Sequence, residues 1–167
     1  MYNYNWDEIK WIFKHDGSLL DIYIVDVSIE DWRNLIDYLN LNFVVKFGPF
    51  SEERSDIIDK EYAVKYLISD SDQIVSKSIS IIIDDILINC HIFCETQIEF
   101  DIEPKEIKTS LELDKILNFM TSVSKKLNKQ IILTGESQIN FPLITIYKNG
   151  MMEYLTEIEA IKRWGKK

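Results

Sequence analysis

Cys90-His91-Ile92-Phe93-Cys94 puts two thiols and an imidazole within five residues, the side chains of a zinc site. The surrounding pattern argues against one. Cys90, Ile92, Cys94, Thr96, Ile98, Phe100 and Ile102 share one parity, and His91, Phe93, Glu95, Gln97, Glu99, Asp101 and Glu103 share the other. Strand side chains alternate between faces, so this alternation predicts a half-buried strand with an apolar face and an acidic face. His91 then points away from both cysteines, whereas a closed zinc site needs four converging ligands. No metal site is expected. Four residues of strand rise set the two cysteines about 13 Å apart, beyond the roughly 7 Å a disulfide tolerates. Both read as small buried apolar residues.

His91 lies on the acidic face beside Glu95, where a carboxylate raises an imidazole pKa and a His/Glu pair could move protons. Glu95, Glu99, Asp101 and Glu103 continue that face. Carboxylates about 6.6 Å apart along a strand can hydrolyse glycosides or hold a divalent cation. No Gly-rich phosphate loop, GxSxG elbow or HExxH helix accompanies them. The expectation is therefore no catalytic residue and no cofactor. His91, Glu95, Glu99, Asp101 and Glu103 are instead a candidate surface for a cationic partner, because complementary charge speeds and orients docking. The other histidine, His15, falls in a turn.

The elements that position this stripe can be read on either side of it. Over residues 77–103, Ile-rich β-branched segments predict two antiparallel strands joined at Asp84-Asp85, then a third strand after a bend near Glu95. Upstream, residues 8–14 alternate and run into Asp16-Gly17, a hairpin-turn signal, before the alternating Leu20, Ile22 and Ile24. Ser28 and Asp31 predict a capped helix over 29–40, with Trp32, Leu35, Ile36 and Leu39 at helical spacing. Residues 42–48 read as a strand ending at Gly48-Pro49. Residues 60–69 fit either period, and Asp59 as a cap tips them to helix; residues 69–73 form a turn cluster.

Pro104 ends the central run. Thr109 or Ser110 caps a second main helix with the stripe Leu113, Ile116, Leu117, Met120, Val123 and Leu127. Lys125, Lys126 and Lys129 suit the negative end of that helix dipole. A strand over 129–134 follows, then a hairpin around Lys148-Asn149-Gly150. A short C-terminal helix has Thr156 and Glu159 as its capping box and Ile158, Ile161 and Trp164 on one face. Tyr2, Tyr4 and Trp6 read as cover for a core edge. Residues 1–167 are expected to form a single α+β domain, with a mostly antiparallel sheet, two main helices packed on one face, and the short C-terminal helix.

The chain has 167 residues, enough to bury roughly 70% of its unfolded surface, and carries 19 Lys plus Arg against 28 Asp plus Glu, a net charge of −9. That balance argues against binding nucleic acid or an anionic membrane, which needs a basic face. No apolar run approaches the ~18 residues that span a bilayer, and the N-terminus lacks the basic start and apolar core of a signal peptide. With two cysteines and no disulfide framework, a reducing cytoplasm is the expected compartment.

Three stretches, DGSLLDIYIVDVSIEDWRNLIDYL, INCHIFCETQIEFDIEPKEI and KKLNKQIILTGESQINFPLITIYKNG, together cover under half the chain. In them the sequence resembles small acidic immunity proteins of bacterial polymorphic-toxin and contact-dependent inhibition systems. The resemblance implies a cytoplasmic, non-catalytic protein without a cofactor that binds and blocks one cognate toxin domain. Many such toxins are basic nucleases, which an acidic surface would suit. The family shares no universal site residues, so none carries over. Two other readings remain: an enzyme using His91 with nearby carboxylates, and a structural subunit of a larger assembly.

Overall fold

The computed structural model describes residues 2–69 and 75–165. Its centre is one eight-stranded sheet: β1 (Leu20–Val25), β2 (Val44–Gly48), β3 (Ser78–Ile83), β4 (Ile86–Cys94), β5 (Gln97–Ile102), β6 (Ile131–Gly135), β7 (Pro142–Ile146) and β8 (Met152–Tyr154). The spatial order is β2-β3-β4-β5-β1-β6-β7-β8, and every pairing is antiparallel. Two meanders of neighbouring strands thus flank β1, which sits between β5 and β6.

Five α-helices accompany the sheet: α1 (Trp6–Ile9), α2 (Ile29–Asn42), α3 (Lys60–Ile68), α4 (Ser110–Leu127) and α5 (Glu157–Trp164). The expected caps form. Ser28 with Asp31, Thr109 with Glu112 and Thr156 with Glu159 are reciprocal capping boxes, and Asp59 accepts from the Tyr62 amide. Each satisfies amides that the first helical turn leaves without partners. Asn128 ends α4 in the left-handed conformation, φ 54°.

Helices α2, α3 and α4 pack into one core with the sheet. Ile22, Ile24, Val45, Phe47, Ile79, Ile81, Ile88, Cys90, Ile98, Phe100 and Leu133 project from the strands into one core with Trp32, Leu35, Ile36 and Leu39 of α2 and the whole predicted stripe of α4. Phe119 of α4 meets Phe100 edge to face, with ring centroids 5.3 Å apart, and Tyr62 of α3 meets Phe47 in the same way at 6.1 Å. The Trp32 indole donates to the Cys94 carbonyl at 3.1 Å, fastening α2 to the end of β4. Tyr2 and Tyr4 donate to Thr121 and Asp114 of α4, so the N-terminal aromatics cover a core edge as expected.

The strand pair expected around Asp16-Gly17 is not there. Residues 8–14 instead fall in α1 and a 3₁₀ turn, Lys10–Phe13. Ile9, Ile12 and Phe13 recur at three- and four-residue spacing, which buries all three on one helical side; as a strand they would split between faces. β1 pairs with β5 and β6 instead. Alongside the two expected main helices, α3 makes a third of nine residues. The turn expected over 69–73 lies, beyond Ser69, outside the described residues.

One burial expectation also changes. Cys90 is buried, but Cys94 is exposed, because the register shifts between His91 and Cys94 and turns the end of β4 out of the core alternation. On α5, Ile158, Ile161 and Trp164 are all exposed and Ala160 is the buried residue. Trp164 meets Phe141 at the surface, with centroids 5.5 Å apart.

Candidate functional site

The opposite parity of each strand faces away from the helices, and the strand register aligns these residues in rows across the sheet. One row runs Lys46, Ser80, Asn89, Asp101, Asp21, Thr134. The next runs His91, Glu99, Tyr23, Ile132, Thr145, Glu153. Toward one end lies an apolar row of Val44, Ile82 and Leu87. Toward the other stand Phe93, Gln97 and Val25.

The polar rows are bonded together. Arg54 reaches in from the loop after β2 and donates to Ser80 Oγ at 2.9 Å and to the Ser78 and Lys46 carbonyls. Ser80 donates to Asn89 Oδ1 at 2.9 Å, and Asn89 donates to Asp101 Oδ1 at 3.0 Å. The other Asp101 oxygen meets His91 Nε2. On the next strand, Asp21 Oδ2 accepts from the Tyr23 hydroxyl at 2.8 Å and from the Ser137 amide at 2.6 Å. Asp21 and Asp101 stand directly opposite each other, only 4% and 8% exposed. Like charges in that position repel, and the four groups drawn to the pair, from Asn89, His91, Tyr23 and Ser137, offset the repulsion.

The electrostatics follow the geometry. The hydrogen bond to Asp101 raises the His91 pKa above its ordinary value; burial opposes this, and the charges of Asp101, Glu99 and Asp21 add to it. Burial raises the Glu99 carboxyl, and Asp21 raises it further. Burial, then the Asp21 hydrogen bond, raises the Tyr23 phenol. Burial pushes the Cys90 thiol up, whereas the hydrogen bond with Thr96 draws exposed Cys94 down.

The expected stripe is therefore divided. His91, Glu99 and Asp101 come together. Glu95 sits exposed in the turn between β4 and β5, away from His91, because that turn ends the alternation. Glu103 lies past β5 and pairs with Lys105 at 3.0 Å and His15 at 3.1 Å. Asp101 is committed inside the network. Of the carboxylates expected to meet a partner, Glu95 is exposed and Glu99 is half-buried beside Gln97. Among the described residues no three His, Cys, Asp or Glu side chains are grouped so as to hold a metal ion.

Reading the sequence alone missed Asp21, Tyr23, Ser80, Asn89 and Arg54. Alternation in residues 20–25 already put Asp21 and Tyr23 on the polar side. What it lacked was the strand order that brings β1 beside β5.

One concavity opens on this side. A groove of about 230 Å³ is lined by Pro49, Phe50, Ser76, Ser78, His91 and Phe93, among others. His91 stacks on Phe93, with centroids 4.7 Å apart and planes 11° from parallel. Arg54 lies 4.7 Å over the Phe50 ring.

No protein-family model, no curated protein and no solved structure matches the chain. What the site defines is an ordered polar sheet face, buried at its centre and exposed at its margins, with a shallow aromatic groove. Among the described residues no helix is long and apolar enough to cross a membrane.

Proposed function

We propose that this is a non-catalytic binding protein that takes up a basic protein partner on the polar face of its sheet, and that the partner is a bacterial toxin domain which it neutralises in the cytoplasm. The observation that carries this reading is the preordered polar face of the sheet. Its centre holds buried polar groups already fixed by one another, and Val25, Val44, Leu87 and Phe93 stand exposed around them. A surface ordered in advance loses less side-chain freedom on docking. Contiguous apolar residues at its margins are a usual mark of an interaction surface. The net charge of −9 favours a cationic partner.

A second reading has a specific observation behind it: the groove touches His91, which is paired with Asp101. A His–Asp pair at a cleft could act as a general base. The magnitude favours binding. At about 230 Å³ the groove falls below the roughly 300–1,000 Å³ of ordinary ligand pockets.

The test is capture of partners by the tagged protein from lysate of its native cell, with the neighbouring genes read first. One stoichiometric basic partner encoded next door is expected, released as salt rises from ~0.05 to ~0.5 M. Glu95→Lys with Glu99→Lys should weaken the capture. Recovery of the protein alone beside a toxin-free gene neighbourhood overturns the reading. Capture indifferent to both substitutions removes the acidic groups from it.

A further inference from the structure

From the groove between Phe50 and Phe93 we infer a socket for a single aromatic side chain of the protein partner, an inference that rests on the binding reading above. The groove lies on the polar side of the sheet, where the start of β3 and the end of β4 meet the Pro49-Phe50 loop. Its two phenylalanines are 69% and 70% exposed. Isolated exposed apolar residues are ordinary, but two on the rim of one concavity are a place where a partner can remove apolar area from water.

The charges around the groove decide what enters it. Arg54 is held by Ser80, Ser78 and the Lys46 carbonyl, and its Nε atom is buried out of reach. His91 is held by Asp101. Lys77 turns its ammonium onto the Tyr62 ring, 3.7 Å from the centroid. An anion would have to draw these groups off partners they already have. A cation would meet the Arg54 guanidinium, 4.7 Å over the Phe50 ring. A neutral ring meets neither cost and gains contact with both phenylalanines. The size agrees: a cavity of about 150 Å³ holds a benzene ring, so about 230 Å³ admits a phenol or an indole. Buried aromatic anchors seated in pockets dominate the energetics of many protein interfaces.

Indole is the probe, titrated against the isotope-labelled protein while amide shifts are recorded. Saturable shifts confined to residues 49–50, 76–78 and 91–93 are expected. Phe50→Ala and Phe93→Ala should each weaken binding about tenfold, as loss of roughly half the apolar contact predicts. Both side chains are solvent-exposed, and unchanged amide spectra elsewhere will report that the variants are folded. Shifts scattered over the surface, an unaltered affinity in both variants, or tighter seating of guanidinium or inorganic phosphate in the groove would each overturn the socket. The two proposals fail separately. A partner captured equally by the parent and by the Phe50→Ala/Phe93→Ala double variant ends the socket and leaves the docking face. Indole seated in the groove of a protein that captures no partner supports the socket and ends the toxin reading.

Discussion

At the scale of single residues, the polar face of the sheet stores a dependence on pH. His91 has its folded pKa raised, chiefly by the hydrogen bond to Asp101. The stability it lends is complete below its unfolded value of about 6.5 and is lost as pH rises through the higher folded value. Glu99 is also raised, chiefly by burial. Its contribution is favourable below the ordinary glutamate pKa and is lost as pH rises through its folded value. Both signs agree, so stability should fall as pH increases. Thermal unfolding followed by circular dichroism should show a midpoint that drops between ~pH 6 and ~pH 9, with His91→Gln flattening the slope. At neutral pH, Glu99→Gln should raise the midpoint, because a neutral amide replaces a carboxylate held near Asp21. A His91→Gln profile parallel to the parent's would show that this pair does not set the slope.

At the scale of elements, the helices and most strands were legible because local signals and burial agree. Ser28, Thr109 and Thr156 announce their helices through capping boxes that all form, and the stripe from Leu113 to Leu127 is buried throughout. Asp84-Asp85 turns the chain where expected, with Asp84 at φ 51°. The 8–14 segment misled because its alternation is weak and its three large apolar residues suit a helical turn better. α5 formed with its expected cap, but an amphipathic pattern does not say whether anything in the same chain covers the apolar face, and Ile158, Ile161 and Trp164 stay exposed. The candidate site was half legible: His91, Glu99 and Asp101 share a side by alternation, but their partners come from strands whose neighbours only the topology supplies. Trp32 offers a measure of how firmly α2 holds this arrangement. It is fully buried and bonded to the Cys94 carbonyl. Trp32→Ala should cost about 3–5 kcal/mol in denaturant unfolding, against about 0.5–2 kcal/mol for loss of the Thr109 cap in Thr109→Ala. A smaller loss at Trp32 than at Thr109 would mean that the core closes around the missing indole.

At the scale of the whole molecule, the sheet's order sets its assembly. β2 to β5 and β6 to β8 each join neighbours in sequence, whereas Leu20 of β1 pairs with Ile102 and Gly135. Distant pairing of this kind is slow, because loop entropy is lost before the contacts form. We expect the two meanders to form before β1 docks. Ile22→Val, worth about 0.5–1.5 kcal/mol, should therefore appear mainly as faster unfolding in stopped-flow measurements, with little change in folding rate. A matching slowdown in folding would place β1 in the nucleus instead. The same order has a consequence for synthesis. β1 leaves the ribosome before either of its partners, so the apolar ribbon Leu20–Val25 waits on the nascent chain with both edges open. Until residue 135 has emerged, that ribbon is the segment a chaperone would hold, or another nascent chain would pair with.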